Sequence, residues 1–145
     1  MSYETTDPNG ASDLLSGGEG WTFLDVRTEE EFNAGHVPGA WNVPVLFRDP
    51  MRGMAPNERF VEVVERAFPK DTRLVLGCAA GMRSARACEL LADAGYERLV
   101  NMAGGFSGAV DGSGTVVQEG WQACGLPCET DGAAERKYGA LADAQ

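Results

Sequence analysis

The sequence predicts an α/β fold: a mainly parallel central sheet of about five strands with helices on both faces. Three observations predict it. Short apolar runs alternate with amphipathic stretches along the chain, the order that builds strand–helix–strand units. Leu74-Val75-Leu76-Gly77 is apolar throughout, as a strand covered on both faces must be. Cys78 follows it directly, and a glycine-containing loop then feeds a helical stretch. That junction is where open α/β sheets place their chemistry.

Each element has its own signals. Residues 2 to 6 are expected to form a short edge strand. Asp7-Pro8 reads as an N-cap followed by proline at the first helical position, with Leu14 and Leu15 as apolar contacts and Gly17-Gly18 as the stop. Trp21 to Leu24 is a buried strand that ends at Asp25-Val26-Arg27. Thr28-Glu29-Glu30-Glu31 is a capping box, so a short helix starts there and stops at Gly35. His36 to Ala40 is a turn into the strand Trp41-Asn42-Val43. Leu46 to Pro56 contains prolines and methionines and is expected to be an irregular connection. Asn57 caps a helix from Glu58 to Phe68, with Phe60, Val63, Val64 and Ala67 on one face and Pro69 beyond its end. Arg73 to Gly77 is a strand, Ser84 to Ala94 a helix closed by Gly95, and Arg98 to Met102 the next strand. Gly104-Gly105-Phe106 is a tight loop placed at the same sheet edge as Cys78. Asp111 to Gly114 is a turn, and Thr115 to Ala123 is expected to be a helix stopped by Gly125 and Pro127.

The chain of 145 residues is long enough for a single domain with a real core, here taken as residues 1–145. Residues 129–145 read as a polar tail with a helical stretch from Glu135 to Ala144. Hydrophobic content of 43% and charged content of 23% are ordinary for a globular protein. No apolar run reaches the roughly 18 residues of a membrane span. The first residues lack a basic n-region and an apolar h-region, so the expected location is cytoplasmic. A formal net charge of −10 argues against nucleic acid and anionic membranes as partners and leaves a basic protein partner open.

The stretch Cys78-Ala79-Ala80-Gly81-Met82-Arg83-Ser84 carries the most specific signal. Loop amides and a helix N-terminus facing the sulfur favour thiolate over thiol, and Arg83 adds a full positive charge. Gly81 permits a turn with its amides pointing inward. The expected site is a nucleophilic thiolate in an anion cradle, with Cys78 catalytic and Ala79, Ala80, Gly81, Met82, Arg83, Ser84 and Asp25 binding the substrate. The rival reading, a small core cysteine, needs neither the glycine nor the arginine. Arg83 is expected to bind an oxyanion bidentately or to steady the loop through Asp25. Arg27 is expected to pair with Glu31 or another carboxylate.

The remaining thiols read as structural or auxiliary. Cys88 shares a helix face with Ala87 and Leu91 and is expected to be buried. Cys124 and Cys128 make a poor metal site with one distant histidine, so no metal is expected there. That pair is a candidate to resolve an oxidised or persulfidated Cys78. His36, the single histidine, is expected to hold structure rather than act as a base.

Taken in order, these pieces resemble the rhodanese (sulfurtransferase) domain. Phe23 to Arg27, with Glu31-Phe32 and Gly35 to Ala40, looks like the family's N-terminal motif. Cys78 to Ser84 looks like its active-site loop, and Gly104-Gly105-Phe106 with Gly125-Leu126-Pro127 like its C-terminal motif. The resemblance spans about residues 4 to 128 and is strongest to small single-domain members of bacteria and plastids. It implies a persulfide mechanism that needs no metal and no organic cofactor. Cys78 takes a sulfane sulfur from a small anionic donor such as thiosulfate and passes it to a thiol, cyanide or protein acceptor. Two departures stand out. Ala79 and Ala80 are neutral where other members often carry charged or polar residues, which makes thiosulfate a poorer expected donor. A Gly-rich insertion over residues 107–120 precedes Trp121. The alternatives are a persulfide-carrying binding module and a phosphatase- or arsenate-reductase-like enzyme. The related cell-cycle phosphatases have a loop one residue longer than this Cys-x4-Arg spacing.

Overall fold

The computed structural model describes residues 3–130 and 134–143. Five parallel strands form the central sheet in the order β1 (Glu4–Thr6), β7 (Leu99–Met102), β6 (Leu74–Gly77), β2 (Thr22–Asp25), β3 (Trp41–Asn42). The helices are α1 (Pro8–Ser16), α2 (Glu29–Ala34), α3 (Phe60–Ala67), α4 (Met82–Asp93) and α5 (Tyr138–Asp143), the last preceded by a 3-10 turn over Ala134–Arg136. Ser2 of the expected first strand and Ala144 of the expected last helix lie outside the described residues.

Side chains alternate across the sheet, so neighbouring residues of one strand enter different cores. Leu24, Leu74, Leu76 and Leu99 pack with Phe60, Val63 and Val64 of α3, Ala87, Cys88 and Leu91 of α4, and Tyr138 and Leu141 of α5. Phe23, Val75 and Val100 pack with Ala11 of α1, Phe32 of α2, Phe106 and Trp121. The helices therefore cover both faces.

The caps act as the sequence implies. Asp7 Oδ1 accepts from the Gly10 amide at 2.8 Å, with Pro8 opening α1. Thr28 and Glu31 form the reciprocal capping box of α2. Two starts shift. α3 begins at Phe60, because Asn57 uses its side chain on Pro44 and on the Arg59 amide and so shapes a preceding turn. α4 begins at Met82, because Gly81, with φ at +111°, turns the chain straight into the helix.

Two expectations are corrected. Residues 46 to 56 form a hairpin of β4 (Leu46–Asp49) and β5 (Gly53–Pro56), not an irregular connection. Pro50 and Gly53 mark one tight turn, in which Asp49 Oδ1 accepts from the Met51 amide at 2.8 Å. Thr115 to Ala123 is not a helix. Val116–Gln118 is β9, paired antiparallel with β8 (Ala109–Val110). Thr115, Val116 and Val117 are β-branched and favour a strand, and Asp111 Oδ1 fixes the turn by accepting from the Ser113 and Thr115 amides.

The topology positions the site. From β2 the chain steps outward to β3, and from β6 it steps the opposite way to β7. Their following helices, α2 and α4, pack into opposite cores. The loops after β2 and β6 therefore diverge at adjacent strand ends, leaving the crevice in which α/β sheets hold ligands.

Candidate active site

Cys78 stands at the end of β6, in that crevice, and is 2% exposed. Its sulfur accepts a hydrogen bond from the Gly81 amide at 3.0 Å. Gly81 is the N-cap of α4, so the first-turn amides, which a helix leaves without internal partners, open at the same end. Together with the positive end of the helix dipole they favour negative charge at this point. The Ser84 hydroxyl lies 3.5 Å from the sulfur and 3.2 Å from the Gly81 carbonyl oxygen, and donates to Asn101 Oδ1 at 2.5 Å. Ser84 and Asn101 are both buried. Ala79 is half-buried, Ala80 exposed, and the Met82 side chain stands out into solvent.

The loop after β7 clamps the cysteine loop from outside. Phe106 N–H donates to the Cys78 carbonyl at 2.7 Å and Ser107 N–H to that of Ala79 at 2.8 Å. Gly105 has φ at +60°, and a Cβ there would overlap the Cys78 and Ala79 carbonyl groups. Gly105→Ala is therefore expected to cost about 1–3 kcal/mol of stability and to displace the Cys78 loop. Urea unfolding and the alkylation rate of Cys78 by iodoacetamide read the two effects.

Each arginine pairs with a carboxylate at the crevice, and Arg27 takes the second of its expected alternatives, a carboxylate other than Glu31. Arg27 pairs with Asp25 rather than Glu31, through Nη2 to Oδ2 at 2.7 Å and Nε to Oδ1 at 3.0 Å. Asp25 and Arg27 lie two residues apart at one strand end, so their side chains fall on the same side. Arg27 also donates to the Gly35 carbonyl at 2.6 Å, and its guanidinium lies 4.5 Å from the centre of the Phe106 ring. Asp25 is 2% exposed, with both carboxylate oxygens engaged by Arg27, so it braces the crevice floor rather than offering an oxygen to a ligand.

Arg83 pairs with Glu31, Nη1 to Oε1 at 2.8 Å and Nη2 to Oε2 at 3.0 Å, and not with Asp25. Hydrogen bonds to Glu31 raise the Arg83 pKa against the opposing effect of burial. Burial pushes the Glu31 carboxyl up, but the bonds from Arg83 and the Thr28 amide outweigh it and hold the group at about 2. Sequence reasoning assigned Glu31 to the capping box and offered it to Arg27, and overlooked its pairing with Arg83. It also overlooked Asn101, whose signal was an amide inside an otherwise apolar strand.

The other expected residues fall into place around this centre. His36 is fully buried and stacks on Phe32 with ring centres 3.7 Å apart. Its ring nitrogens meet the Phe32 carbonyl and Glu129 Oε1, which makes it a structural tie to the tail. Cys88 is buried, and burial pushes its thiol up to about 12. Cys124 lines a shallow cleft with Asp7, Pro8 and the β9 residues, while Cys128 is exposed. All four cysteines are unbridged. Among the described residues no cluster of His, Cys, Asp or Glu is arranged to hold a metal ion, and no helix is long and apolar enough to cross a membrane.

The family model of the rhodanese-like domain matches residues 8–111. The chain belongs to the rhodanese-like family. Thiosulfate sulfurtransferase 16, chloroplastic, of Arabidopsis thaliana is 41% identical over 112 residues, covering 74% of this rhodanese-like chain and 91% of that protein. Protein HIGH ARSENIC CONTENT 1, mitochondrial, of the same plant is 42% identical over 108 residues. That match covers 74% of the chain but only 62% of the relative, so the chain spans under two thirds of that protein's length. Among solved structures, Rv0390 from M. tuberculosis superposes with a TM-score of 0.75 at 28% identity, covering 90% of this chain and 100% of that one. The fold described above is thus that of a rhodanese-like domain.

Proposed function

We propose that this rhodanese-like chain is a sulfurtransferase that moves a sulfane sulfur to a thiol or cyanide acceptor through a persulfide on Cys78. The observation that carries this reading is the Gly81 amide 3.0 Å from the Cys78 sulfur at the opening of α4. In the first half-reaction the Cys78 thiolate attacks the outer sulfur of the donor. A bond forms between the two sulfurs, the donor's own sulfur–sulfur bond breaks, and its electron pair leaves with the remainder, as sulfite does from thiosulfate. In the second half-reaction the acceptor attacks the outer sulfur and the Cys78 thiolate is restored. The preorganised amide and the helix end stabilise each sulfur anion without rearrangement, as an oxyanion hole does. Sulfurtransferase names among the relatives support the same class.

A phosphatase-like reaction asks the cradle arginine to grip a phosphoryl group with both terminal nitrogens. Glu31 already engages one N–H of each and cancels the Arg83 charge that a phosphoryl group would draw on. The test is turnover with a panel of sulfane donors, reading thiocyanate from cyanide and loss of free thiol from glutathione, beside a phosphate monoester. Sulfur transfer without phosphate release is the expected result. Phosphate release without sulfur transfer would overturn the reading, and sulfur loading that passes only to a protein acceptor would make the chain a carrier.

A further inference from the structure

Resting on the sulfurtransferase reading, we propose that the β8–β9 hairpin is the docking surface for a protein that takes the sulfur. The partner it fits bears a thiol and lays an extended, basic and apolar segment along the free edge of β9.

The hairpin is fastened to the reactive loop. Ser107 and Gly108 both donate their amides to the Ala79 carbonyl, at 2.8 and 3.2 Å, and beyond β9 the Trp121 amide donates to the Gly105 carbonyl at 2.8 Å. Ala79 adjoins Cys78 in the chain, so a segment lying on the hairpin starts next to the thiol. The family model ends at residue 111, and β9 lies beyond the part of the chain that it describes.

The chemistry of the surface says what it binds. Among the described residues β9 pairs with β8 alone, and its residues, with Glu119 after them, line a shallow cleft of about 310 Å³ against the start of α1. An unpaired strand edge is a template for a strand from another chain, and proteins that avoid such pairing place lysine or proline on it. β9 carries Val116, Val117 and Gln118 instead. Val110, Val116 and Val117 are each more than half exposed, and none belongs to either core. Asp7 and Glu119 line the cleft, and Asp111 stands at the hairpin turn. No lysine or arginine occurs in residues 2–26 or 99–135 to offset them. A second copy of this chain would bring the same carboxylates against these, so charge favours a basic partner over self-pairing.

Docking answers the depth of the thiol. Cys78 is 2% exposed, and a partner held on the hairpin raises the effective concentration of its own thiol at the crevice. The partner's thiolate attacks the outer sulfur of Cys78–S–SH. A sulfur–sulfur bond forms to the partner, the bond to Cys78 breaks, and its electron pair leaves on the Cys78 sulfur. The partner then carries the persulfide, and no oxidant or reductant is consumed.

For the test, protein loaded from glutathione persulfide and freed of donor is mixed with acceptors at low salt, and loss of sulfur from Cys78 is followed by intact mass. The acceptors are a short peptide of alternating lysine and valine ending in cysteine, its counterpart with glutamate for lysine, and 2-mercaptoethanol. The lysine peptide is expected to take the sulfur at least about tenfold faster than the glutamate peptide. N-methylation of its backbone amides keeps the charge, removes the ladder donors and should cost most of that advantage. Val116→Thr/Val117→Thr, which keeps β-branched residues in the strand, and Glu119→Lys should each do the same. Transfer to 2-mercaptoethanol should stay within about twofold of wild type in both. Equal rates for the two peptides would overturn the inference, while transfer to 2-mercaptoethanol would leave the sulfurtransferase reading standing. An advantage untouched by methylation, or untouched by both variants, would overturn it too. So would a wild-type dimer in sedimentation that Val116→Thr/Val117→Thr dissolves. A Cys78 that takes sulfur from no donor would overturn the sulfurtransferase reading itself, and this inference with it.

Discussion

Cys78→Ser is expected to lower sulfur transfer at least about a thousandfold, because a neutral hydroxyl replaces the thiolate that takes up the sulfur. The substitution is nearly isosteric at a site that is 2% exposed, so stability should stay within about 1 kcal/mol of wild type. Steady-state turnover and a urea melt on the same preparation separate the two effects. Cys88→Ser serves as the comparison. Its thiol is buried in the core within α4, and burial holds it protonated, so it offers no thiolate. Turnover that falls equally in both variants would point to damage of the fold rather than loss of a nucleophile.

Asp25→Ala has the largest expected effect on stability. It leaves the Arg27 guanidinium buried without its counter-charge, and breaking a buried pair in this way typically costs about 3–5 kcal/mol. Against a total of about 5–15 kcal/mol for a domain, that is a large share. The loss should spread beyond the pair. Arg27 ties the end of β2 to the Gly35 carbonyl and to the Phe106 ring, and the Phe106 amide in turn holds the Cys78 carbonyl. Activity should therefore fall together with the melting temperature. The double variant Asp25→Leu/Arg27→Met removes both charges and should recover much of the stability, since apolar replacements of buried pairs are often neutral. A single variant that costs under about 1 kcal/mol would show that the pair does not brace the crevice.

The parts of this molecule that were legible in its sequence are those decided by local chemistry. Leu74 to Gly77 reads as a two-sided buried strand because four apolar residues in a row cannot face water. Asp7-Pro8 and Thr28 to Glu31 announce helix starts because the capping groups lie within one turn of the amides they satisfy. The Cys78 loop was legible because a glycine and an arginine at fixed offsets serve no core purpose. The two hairpins were not. Pro50 and Gly53 look like an irregular connection in a linear reading but mark one turn held by Asp49. Thr115 to Val117 carry a β-branched signal, but a strand there needs a partner, and Ala109 and Val110 lie on the far side of the turn at Asp111. The ion pairs were the least legible. Glu31 and Arg83 are 52 positions apart, and nothing local distinguishes that pairing from Arg83 with Asp25. The sheet order decides it, by bringing the start of α2 against the start of α4.

The central claim is that Cys78 carries the sulfur. Its most direct test is peptide mapping by mass after the protein has been incubated with glutathione persulfide and freed of donor. The account predicts one additional sulfur atom on the peptide containing Cys78, lost on addition of cyanide and absent from Cys78→Ser. An additional sulfur confined to the peptide of Cys124 and Cys128, with Cys78 unmodified, would contradict it.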